Sequence, residues 1–291
     1  MPIDPKVAIG AELPGTSFTW TASDVLLYHL ALGAGADPTS PRELRYALED
    51  DLRVLPTFGV VAPSLRVFEP PSVSFPGISV DLAKVLHGSQ GITVHGPIPA
   101  DGKARIDSRI VEVWDKGKAA VIVQEATATS PEGVLLWTTR SSIFARGEGG
   151  FGGERGPATV AFEPSREPDL VIDTPTLPQQ ALLYRLCGDR NPLHASPEFA
   201  AAAGFPAPIL HGLCTYGIVA KAITDAALDG DATRVRSFEA RFAGVVYPGE
   251  TLRTSMWADG DKIHATSVVA SRDDTPVLSG ITLAATESAR W

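Results

Sequence analysis

The sequence predicts an α+β fold made of two successive copies of one unit, and three observations support this prediction. The segment Leu26–Leu30 (LLYHL) recurs 156 residues later as Leu182–Leu186 (LLYRL). In the same order, Thr57–Ala62 (TFGVVA) recurs 158 residues later as Thr215–Ala220 (TYGIVA), so the chain contains an internal repeat. In each half, helical segments also precede strand-like segments, which favours an antiparallel sheet over alternating βαβ units.

The length and composition agree with one large domain or two small ones. The chain has 291 residues, of which 44% are hydrophobic, and this is enough to bury a core. Its formal net charge is −9, so no nucleic-acid partner is expected, because proteins that bind nucleic acids carry basic patches. No apolar run reaches the roughly 18 residues of a transmembrane helix, so no membrane partner is expected either.

The expected compartment is the bacterial cytoplasm. Residues 1–10 lack the charged and apolar regions of a signal peptide, and the C-terminal SARW is not a Ser-Lys-Leu peroxisomal address. Cys187 and Cys214 match no metal-ligand spacing and make no disulfide framework, which favours a reducing environment. Arg exceeds Lys and Ala is abundant, which is typical of GC-rich bacterial genomes.

Each half is predicted to begin with a short helix and to continue with a longer apolar segment. Residues 24–32 and 178–186 have helical character, and residues 55–65 and 213–228 are the longer apolar segments. Strand-like runs follow at residues 105–113, 119–128, 252–257, 263–270 and 277–285. A sheet that wraps around one apolar helix in each half would bury both helices. This is the hot-dog arrangement, here doubled.

A glycine-rich segment at residues 147–157 (GEGGFGGERGP) is predicted to link the two halves. We therefore expect a first repeat over residues 1–146 and a second repeat over residues 158–291. The second repeat carries the polar motif described below. The first repeat lacks it and is expected to cradle the substrate.

The same segment has an alternative interpretation. Gly147, Gly149 and Gly152 have the G-x-G-x-x-G spacing of a dinucleotide-binding loop, and the strand-like residues 141–145 precede them. That motif has to open a helix, whereas a proline and the extended-looking residues 159–162 follow here. We therefore favour the linker.

Polar residues are densest in the segment Tyr184–His194 (YRLCGDRNPLH) of the second half. A glycine and a proline bracket its non-helical turn, so Asp189, Asn191 and His194 lie on a constrained loop, where catalytic groups concentrate. The residues that follow predict a short helix, with a serine cap, a proline at the first position and a glycine at the end, at Ser196, Pro197 and Gly204.

An aspartate and a histidine five residues apart on a rigid turn can hold one water molecule between a carboxylate and an imidazole. The alternative is that Asp189 only forms a turn bond and that His194 only packs. The corresponding loop of the first repeat, residues 32–38, has no histidine. We therefore expect one active site per chain, in the second half.

A second candidate element is residues 208–219 (PILHGLCTYGIV), where His211 and Gly212 open a long apolar helix. Unpaired N–H groups and the positive dipole make a helix start suitable for developing negative charge, and Gly212 has no side chain to keep a carbonyl away. We expect its N–H to act as an oxyanion donor, worth roughly 10²–10³ in rate. The alternative is that this glycine only lets the chain turn. His211 is expected to be a half-buried histidine with satisfied nitrogens.

The segment Gly188–His194 (GDRNPLH) resembles the G-D-x-N-P-hydrophobic-H signature of the MaoC-like dehydratases, the (R)-specific enoyl-CoA hydratases or hydratase 2. The resemblance covers about residues 18–286, and it is closest to the two-domain form found as the hydratase part of peroxisomal multifunctional enzyme type 2. Further similar segments lie at residues 55–60, 84–88, 149–153, 208–216 and 240–249.

This resemblance implies a double hot-dog fold and the reversible syn hydration of trans-2-enoyl-CoA to (3R)-3-hydroxyacyl-CoA, in fatty-acid or steroid side-chain metabolism. It implies no metal and no redox cofactor, since coenzyme A is part of the substrate. Asp189 and His194 would activate the water, and Asn191 would help to orient the reacting groups. The Gly212 N–H would bind the thioester oxygen.

The resemblance also implies residues that bind the CoA thioester, at His87, Gly88, Lys116 and Phe242. Pro192 and Leu193 of the signature are expected to contact the substrate too. The CoA phosphates require basic side chains at the rim of the cleft, for which Lys116, Lys118 and Arg190 are the candidates.

Two other functions remain as alternatives: a hot-dog acyl-CoA thioesterase and a non-catalytic acyl-CoA-binding subunit. Release of free thiol would distinguish the first, and the intact motif of the second half argues against the other. Exposed sheet edges could pair two chains, so a homodimer is expected.

Overall fold

A computed structural model describes residues 3–66, 74–80, 85–158, 162, 164–286 and 288. Ten strands of these residues form one continuous antiparallel sheet, and two short strands form a separate hairpin. The strands are β1 (Glu12–Trp20), β2 (Ser74–Phe75), β3 (Ile78–Ser79), β4 (Val85–Val94), β5 (Gly102–Asp115), β6 (Ala119–Thr129), β7 (Leu135–Arg146), β8 (Leu170–Pro175), β9 (Val235–Phe242), β10 (Thr251–Asp259), β11 (Lys262–Val269) and β12 (Thr275–Ala285).

Along the chain, most helices come after the edge strand of each half, β1 or β8, and before the other strands of that half. They are α1 (Pro5–Ala8), α2 (Ala22–Ala31), α3 (Pro41–Ala47), α4 (Phe58–Val61), α5 (Gln180–Tyr184), α6 (Pro197–Ala202) and α7 (Gly212–Leu228). Short 3₁₀ turns follow α4 at Ala62–Ser64 and α5 at Arg185–Cys187, and another spans Pro192–His194.

The two halves contribute five neighbouring strands each to the large sheet. Its order is β1-β5-β6-β7-β4 from the first half, followed by β9-β12-β11-β10-β8 from the second. The halves are joined by the pairing of β4 with β9, in which Ser89 lies opposite Arg241 and Ile92 lies opposite Phe238. This is the α+β architecture with two similar halves that the sequence predicts. The division of the chain at residues 147–157 stays a prediction.

The long helix α7 is buried over most of its length, as its apolar sequence predicts. The hydroxyl of Tyr216 donates to the carbonyl of Phe238 over 2.8 Å and so ties the helix to β9. The corresponding helix of the first half is much shorter than the apolar segment 55–65. It consists of α4 and one 3₁₀ turn, because Pro63 has no N–H with which to continue an α-helical ladder.

Both copies of the repeat have a glycine at the same position, Gly59 in α4 and Gly217 in α7, and both are tightly packed. A Cβ atom on Gly59 would lie 2.8 Å from Cδ1 of Ile92, and one on Gly217 would lie 2.7 Å from Cδ2 of Leu32. Both distances are shorter than real Cβ contacts. Glycine therefore suits this position of α4 and α7, where a larger residue would have to displace the neighbouring Ile92 or Leu32 side chain.

Most predicted elements are present, with shifted ends. The helix predicted over residues 24–32 is α2, and that over 178–186 is α5 with its 3₁₀ turn. The five predicted strands correspond to β5, β6, β10, β11 and β12, and the strand-like residues 141–145 lie in β7. Ser196 caps α6 through a bond from the Phe199 N–H, as predicted.

The glycine-rich segment is a loop. Residues 147–158, all of which the structure describes, contain no helix, so the glycine spacing does not open a dinucleotide-type helix. The carboxylate of Asp115 accepts bonds from the N–H groups of Gly117, Gly150 and Gly152 and fixes the loop instead. Residues 159–161, which are expected to be extended, lie outside the described residues. Lys84, the first residue of the similar segment 84–88, also lies outside them. In the described part of the chain, no helix is long and apolar enough to cross a membrane.

Candidate active site

The polar loop of the second half begins against the first half of the chain. Gly188 has a φ of +120°, a conformation that side chains disfavour, and a Cβ atom there would clash with the carbonyl oxygen of Ser64. Glycine therefore both allows the sharp end of the 3₁₀ turn at Arg185–Cys187 and lets the loop pack against the turn after α4.

Two side-chain bonds shape the loop itself. Oδ1 of Asp189 accepts a bond from the Asn191 N–H over 3.0 Å, and Oδ1 of Asn191 accepts one from the Leu193 N–H over 3.0 Å. Asn191 thereby caps the 3₁₀ turn that carries His194. The turn bond considered as the alternative role of Asp189 is thus present. It uses one carboxylate oxygen, and Oδ2 of this exposed residue has no partner among the described residues.

His194 is held in one tautomer. Its ring is 9% exposed, and Nδ1 lies 2.8 Å from the carbonyl oxygen of Ile209. Because a carbonyl only accepts, Nδ1 carries the proton, and Nε2 of the neutral ring has a free lone pair. Burial lowers the pKa of His194 below its usual value, and the positive charge of Arg185 lowers it further, whereas the Ile209 carbonyl and the Asp189 charge act in the opposite direction.

The acid and the imidazole lie side by side. One side-chain oxygen of Asp189, one ring nitrogen of His194 and one of His211 all lie within 4.8 Å of one another. A water molecule hydrogen-bonded at about 2.8 Å to two groups can bridge atoms up to roughly 5.6 Å apart. The Asp189 carboxylate and the His194 ring are therefore close enough for one water molecule to bridge them, and their role as a catalytic pair stays a prediction.

Gly212 lies next to this pair, at the first position of α7. It is exposed, and its N–H has no hydrogen-bond partner within the described ranges, as expected for a helix start. A Cβ atom at this position would lie 3.2 Å from Cε1 of Phe242, so the absence of a side chain leaves room beside that ring. The helix dipole adds partial positive charge at the same point.

The expectation for His211 is wrong. The side chain is 1% exposed rather than half-buried, and Nδ1 has no hydrogen-bond partner in the part of the chain that the structure describes. The ring stacks on His194, with centroids 3.8 Å apart and planes inclined by 28°. Sequence reasoning missed this contact because the two residues are 17 positions apart and only the folded loop brings them together.

The cluster of Asp189, His194 and His211 has the side-chain types of a zinc site, and one possible ligand atom of each residue lies within 4.8 Å of the others. Tetrahedral coordination needs lone pairs that converge on the ion. One nitrogen of each ring is bonded to a backbone carbonyl, Nδ1 of His194 to Ile209 and Nε2 of His211 to Asp189. Within the described ranges, the second nitrogen of each ring, Nε2 of His194 and Nδ1 of His211, makes no bond to the backbone.

The residues expected to bind the CoA thioester form two groups. His87 and Phe242 are in contact across the junction of the halves, with ring centroids 4.6 Å apart, and Phe242 also borders Gly212. Gly88 and Lys116 line a neighbouring groove of about 550 Å³ between strands of both halves. Nζ of Lys116 donates to the Pro157 carbonyl over 3.0 Å and lies 5.2 Å from the centre of the Trp114 ring.

The remaining candidates lie on the surface of the loop or of the first half. Pro192 and Lys118 are exposed, and Arg190 and Leu193 are half-buried. The carbonyl of Arg190 accepts a bond from Nη2 of Arg185 over 3.3 Å. The roles of these residues in binding the substrate stay predictions.

The fold and the site define a class of protein: a double hot-dog with one acid–imidazole pair beside an open helix start. The comparisons agree. A family model described as the MFE-2 hydratase 2 N-terminal domain matches residues 18–147, and one described as a MaoC like domain matches residues 160–279. The chain belongs to the MaoC-like dehydratases, in the hydratase 2 form that the first of these models describes.

The relatives support this assignment along nearly the whole chain. The enoyl-CoA hydratase ChsH3 of Mycobacterium tuberculosis is 60% identical over 283 residues, which cover 97% of this chain and 99% of that protein. The solved MaoC-like dehydratase of Phytophthora capsici has a TM-score of 0.87 and 29% identity, with 97% of both chains covered. A conserved hypothetical protein of M. tuberculosis with a double hotdog fold has a TM-score of 0.56 and 15% identity, with 98% of both chains covered, and shows the fold alone. The double hot-dog prediction is confirmed.

Proposed function

We propose that this protein is an enoyl-CoA hydratase that adds water reversibly to trans-2-enoyl-CoA and forms (3R)-3-hydroxyacyl-CoA. The observation that carries the proposal is the placement of the Asp189 carboxylate and the His194 imidazole within 4.8 Å of each other, beside the unpaired N–H of Gly212. The name of the M. tuberculosis relative, an enoyl-CoA hydratase at 60% identity, supports it.

The reaction needs three things, and the site offers a group for each. Water must lose a proton as its oxygen bonds to C3, and C2 must receive a proton. The Asp189–His194 pair takes the first proton and delivers the second on one face of the double bond, so the site gains no net proton. The negative charge that develops on the thioester oxygen is held by the Gly212 N–H and the dipole of α7.

The state of the two side chains suits this exchange. With its pKa lowered by burial, His194 is neutral at pH 7, and its free Nε2 accepts a proton. The protonated ring that results is stabilised by the adjacent Asp189 carboxylate, whose Oδ1 stays bonded to the Asn191 N–H. In our proposal Asn191 therefore orients the pair through the backbone of the turn.

The substrate is an acyl-CoA thioester in this proposal. The thioester lies against Gly212, beside the Phe242 ring, and the pantetheine follows the junction of the halves past His87 to Gly88. The contacts between these residues support such a path, since each one borders the next or is its neighbour in the chain. Lys116 lies in the groove that Gly88 also lines and is suited to meet a CoA phosphate.

The test is a hydration assay over a series of trans-2-enoyl-CoA chain lengths. Loss of the conjugated thioester absorbance reports hydration, a (3R)-specific and a (3S)-specific dehydrogenase report the product, and a thiol reagent reports free CoA. We expect (3R) product without thiol release. Thiol release without hydration would instead indicate a thioesterase, and binding of acyl-CoA with neither reaction would indicate a binding subunit. Exclusively (3S) product would refute the proposal.

We further propose that the reaction needs no metal or redox cofactor. The site supports this, because the Asp189–His194 pair and the Gly212 N–H already offer a group for each proton transfer and for the thioester oxygen. The activity should therefore be the same, within error, after dialysis against a strong chelator. Loss of activity that Zn²⁺ restores would contradict this.

We also propose a homodimer in the bacterial cytoplasm. The outer backbone of the edge strand β8 has no strand partner in the described part of the chain, which supports pairing between two copies. Cys187 and Cys214 are both free and buried, which supports a reducing compartment. Sedimentation equilibrium should give the mass of two chains, and a monomer at all concentrations would exclude the dimer.

A further inference from the structure

The buried side chain of His211 joins the parts of the proposed acid–base site. It is the residue directly before Gly212 and occupies the cap position of α7. Its ring stacks on that of His194, with the centroids 3.8 Å apart. Its Nε2 lies 3.3 Å from the backbone carbonyl oxygen of Asp189. A single ring thus joins the oxyanion donor, the imidazole and the loop that carries the carboxylate.

The protonation of His211 follows from these contacts. The Asp189 carbonyl only accepts, so Nε2 carries the ring proton. Burial lowers the pKa of His211 to about 2, and the neighbouring His194 and Arg185 act in the same direction. The ring is therefore neutral throughout the working range of the site. A charged ring at this distance would repel the positive charge that forms on His194 during proton transfer.

The mechanism proposed above gives His211 no proton to move. Its Nδ1 is fully buried and has no hydrogen-bond partner among the described residues. Leaving a buried nitrogen unsatisfied costs stability, of the order of 1–3 kcal/mol in general. Side chains that are kept at such a cost tend to serve a site rather than the fold.

We propose that His211 is a positioning residue of the hydration site, which fixes the ring plane of His194 by stacking and fixes the Asp189 loop by its Nε2–H bond. This inference rests on the proposed function. The stacked His211 ring prevents the His194 ring from turning about its Cβ–Cγ bond, while the Ile209 carbonyl holds Nδ1. Nε2 then stays directed at the water that Asp189 shares. A misplacement of about 1 Å in such a site costs roughly 10²-fold in rate.

Two substitutions separate the two contacts. His211→Gln keeps an amide N–H near the position of Nε2 but removes the flat ring. His211→Phe keeps a flat ring but removes the N–H. We expect each variant to lower kcat about 10- to 100-fold and to leave KM within about threefold, since positioning acts on the reacting geometry more than on binding. The exposed His95, whose ring Nε2 lies 3.3 Å from the Thr138 hydroxyl, provides the control His95→Gln with unchanged kinetics.

A pH titration distinguishes positioning from general stability. The charged groups that face His194 are Asp189 and Arg185, and the rings of His211 and Tyr184 continue the stack behind it. Loss of the His211 ring admits water to His194, so its pKa rises toward the usual value. The acid limb of kcat/KM in His211→Gln should therefore move to higher pH, whereas in His211→Phe it should stay in place.

An NMR titration of the His194 ring in the wild type and both variants makes the test independent of enzyme activity. A raised His194 pKa in His211→Gln and an unchanged one in His211→Phe, with kcat lowered in both, support the proposal. Should His211→Phe not fold, His211→Gln decides the question alone. Unchanged kcat and an unchanged His194 pKa in His211→Gln would overturn it. A wild type that hydrates no enoyl-CoA would refute the proposed function. The NMR titration would still test whether His211 determines the environment of the His194 ring.

Discussion

Substitution of Asp189 by asparagine removes the carboxylate of the proposed acid–base pair and changes little else. The side chain is exposed, and the only bond it makes among the described residues is the one from the Asn191 N–H to Oδ1. The carbonyl oxygen of an asparagine keeps that bond and so keeps the turn. The free energy of unfolding should change by less than about 1 kcal/mol, as for an exposed substitution that preserves its hydrogen bond.

The effect of Asp189→Asn on catalysis should be far larger. Oδ2, which has no protein partner within the described ranges, is replaced by an NH₂ group that cannot accept a proton. General acid–base catalysis contributes about 10²–10⁴ in rate, so kcat should fall by that factor, or about 3–5 kcal/mol in barrier. The charge of Asp189 also raises the pKa of His194, so the acid limb of the remaining activity should move to lower pH.

The assay is the initial rate of loss of the conjugated thioester absorbance, measured for the wild type, Asp189→Asn and the control Asp50→Asn. Asp50 is an exposed aspartate in the turn after α3. Thermal unfolding of all three should coincide within a few degrees. If Asp189→Asn keeps its kcat within about threefold of the wild type while it remains folded, the assignment of the acid–base pair is wrong.

The remaining predictions concern the helix start and the buried histidines. Gly212→Ala places a Cβ atom 3.2 Å from the Phe242 ring, so kcat should fall at least about tenfold with little loss of stability, and full activity would exclude Gly212 as the oxyanion donor. The kcat/KM of the wild type should be flat above pH 7 and decline only below the usual histidine pKa of about 6.5, since burial lowers the pKa of His194. A decline that starts above pH 7 would contradict a neutral base. His29 is fully buried, and its pKa is lowered to about 4 by burial. Between pH 6.5 and 4 the unfolded chain therefore binds a proton on His29 that the folded chain does not, and His29 should contribute about 3 kcal/mol to the fall in stability measured by urea unfolding over that interval. In His29→Gln the unfolded and folded chains should differ by one proton fewer, so stability should fall less steeply as the pH is lowered. An equally steep fall would refute the linkage.

Local rules predicted the elements whose formation depends on neighbours in the sequence. The cap at Ser196, the start of α7 at Gly212 and the constrained turn around Asp189 follow from residue types within a few positions of each other. The strand β1 was not predicted, because Pro14 and Gly15 lie inside it. The structure accommodates both at a bulge between Leu13 and Thr16, on an edge strand where the missing N–H of proline costs no ladder bond.

Local rules could not predict contacts between residues that are distant in the sequence. The stack of His211 on His194, the contact of His87 with Phe242 and the packing of Gly188 against Ser64 all join residues that are distant in sequence. The Asp189–His194 pair could be predicted because a single turn sets its geometry. Its surroundings could not, since the pairing of β4 with β9 and the position of the short helix α4 determine them.

The central claim is that one acid–imidazole pair adds both parts of water from one face of the double bond. The most direct test is hydration of trans-2-enoyl-CoA in ²H₂O, with NMR coupling constants used to assign the relative configuration at C2 and C3 of the product. We predict that the deuterium and the hydroxyl lie on the same face, with the (3R) configuration at C3. Deuterium and hydroxyl on opposite faces would require proton donors on two sides of the substrate, and would contradict the account.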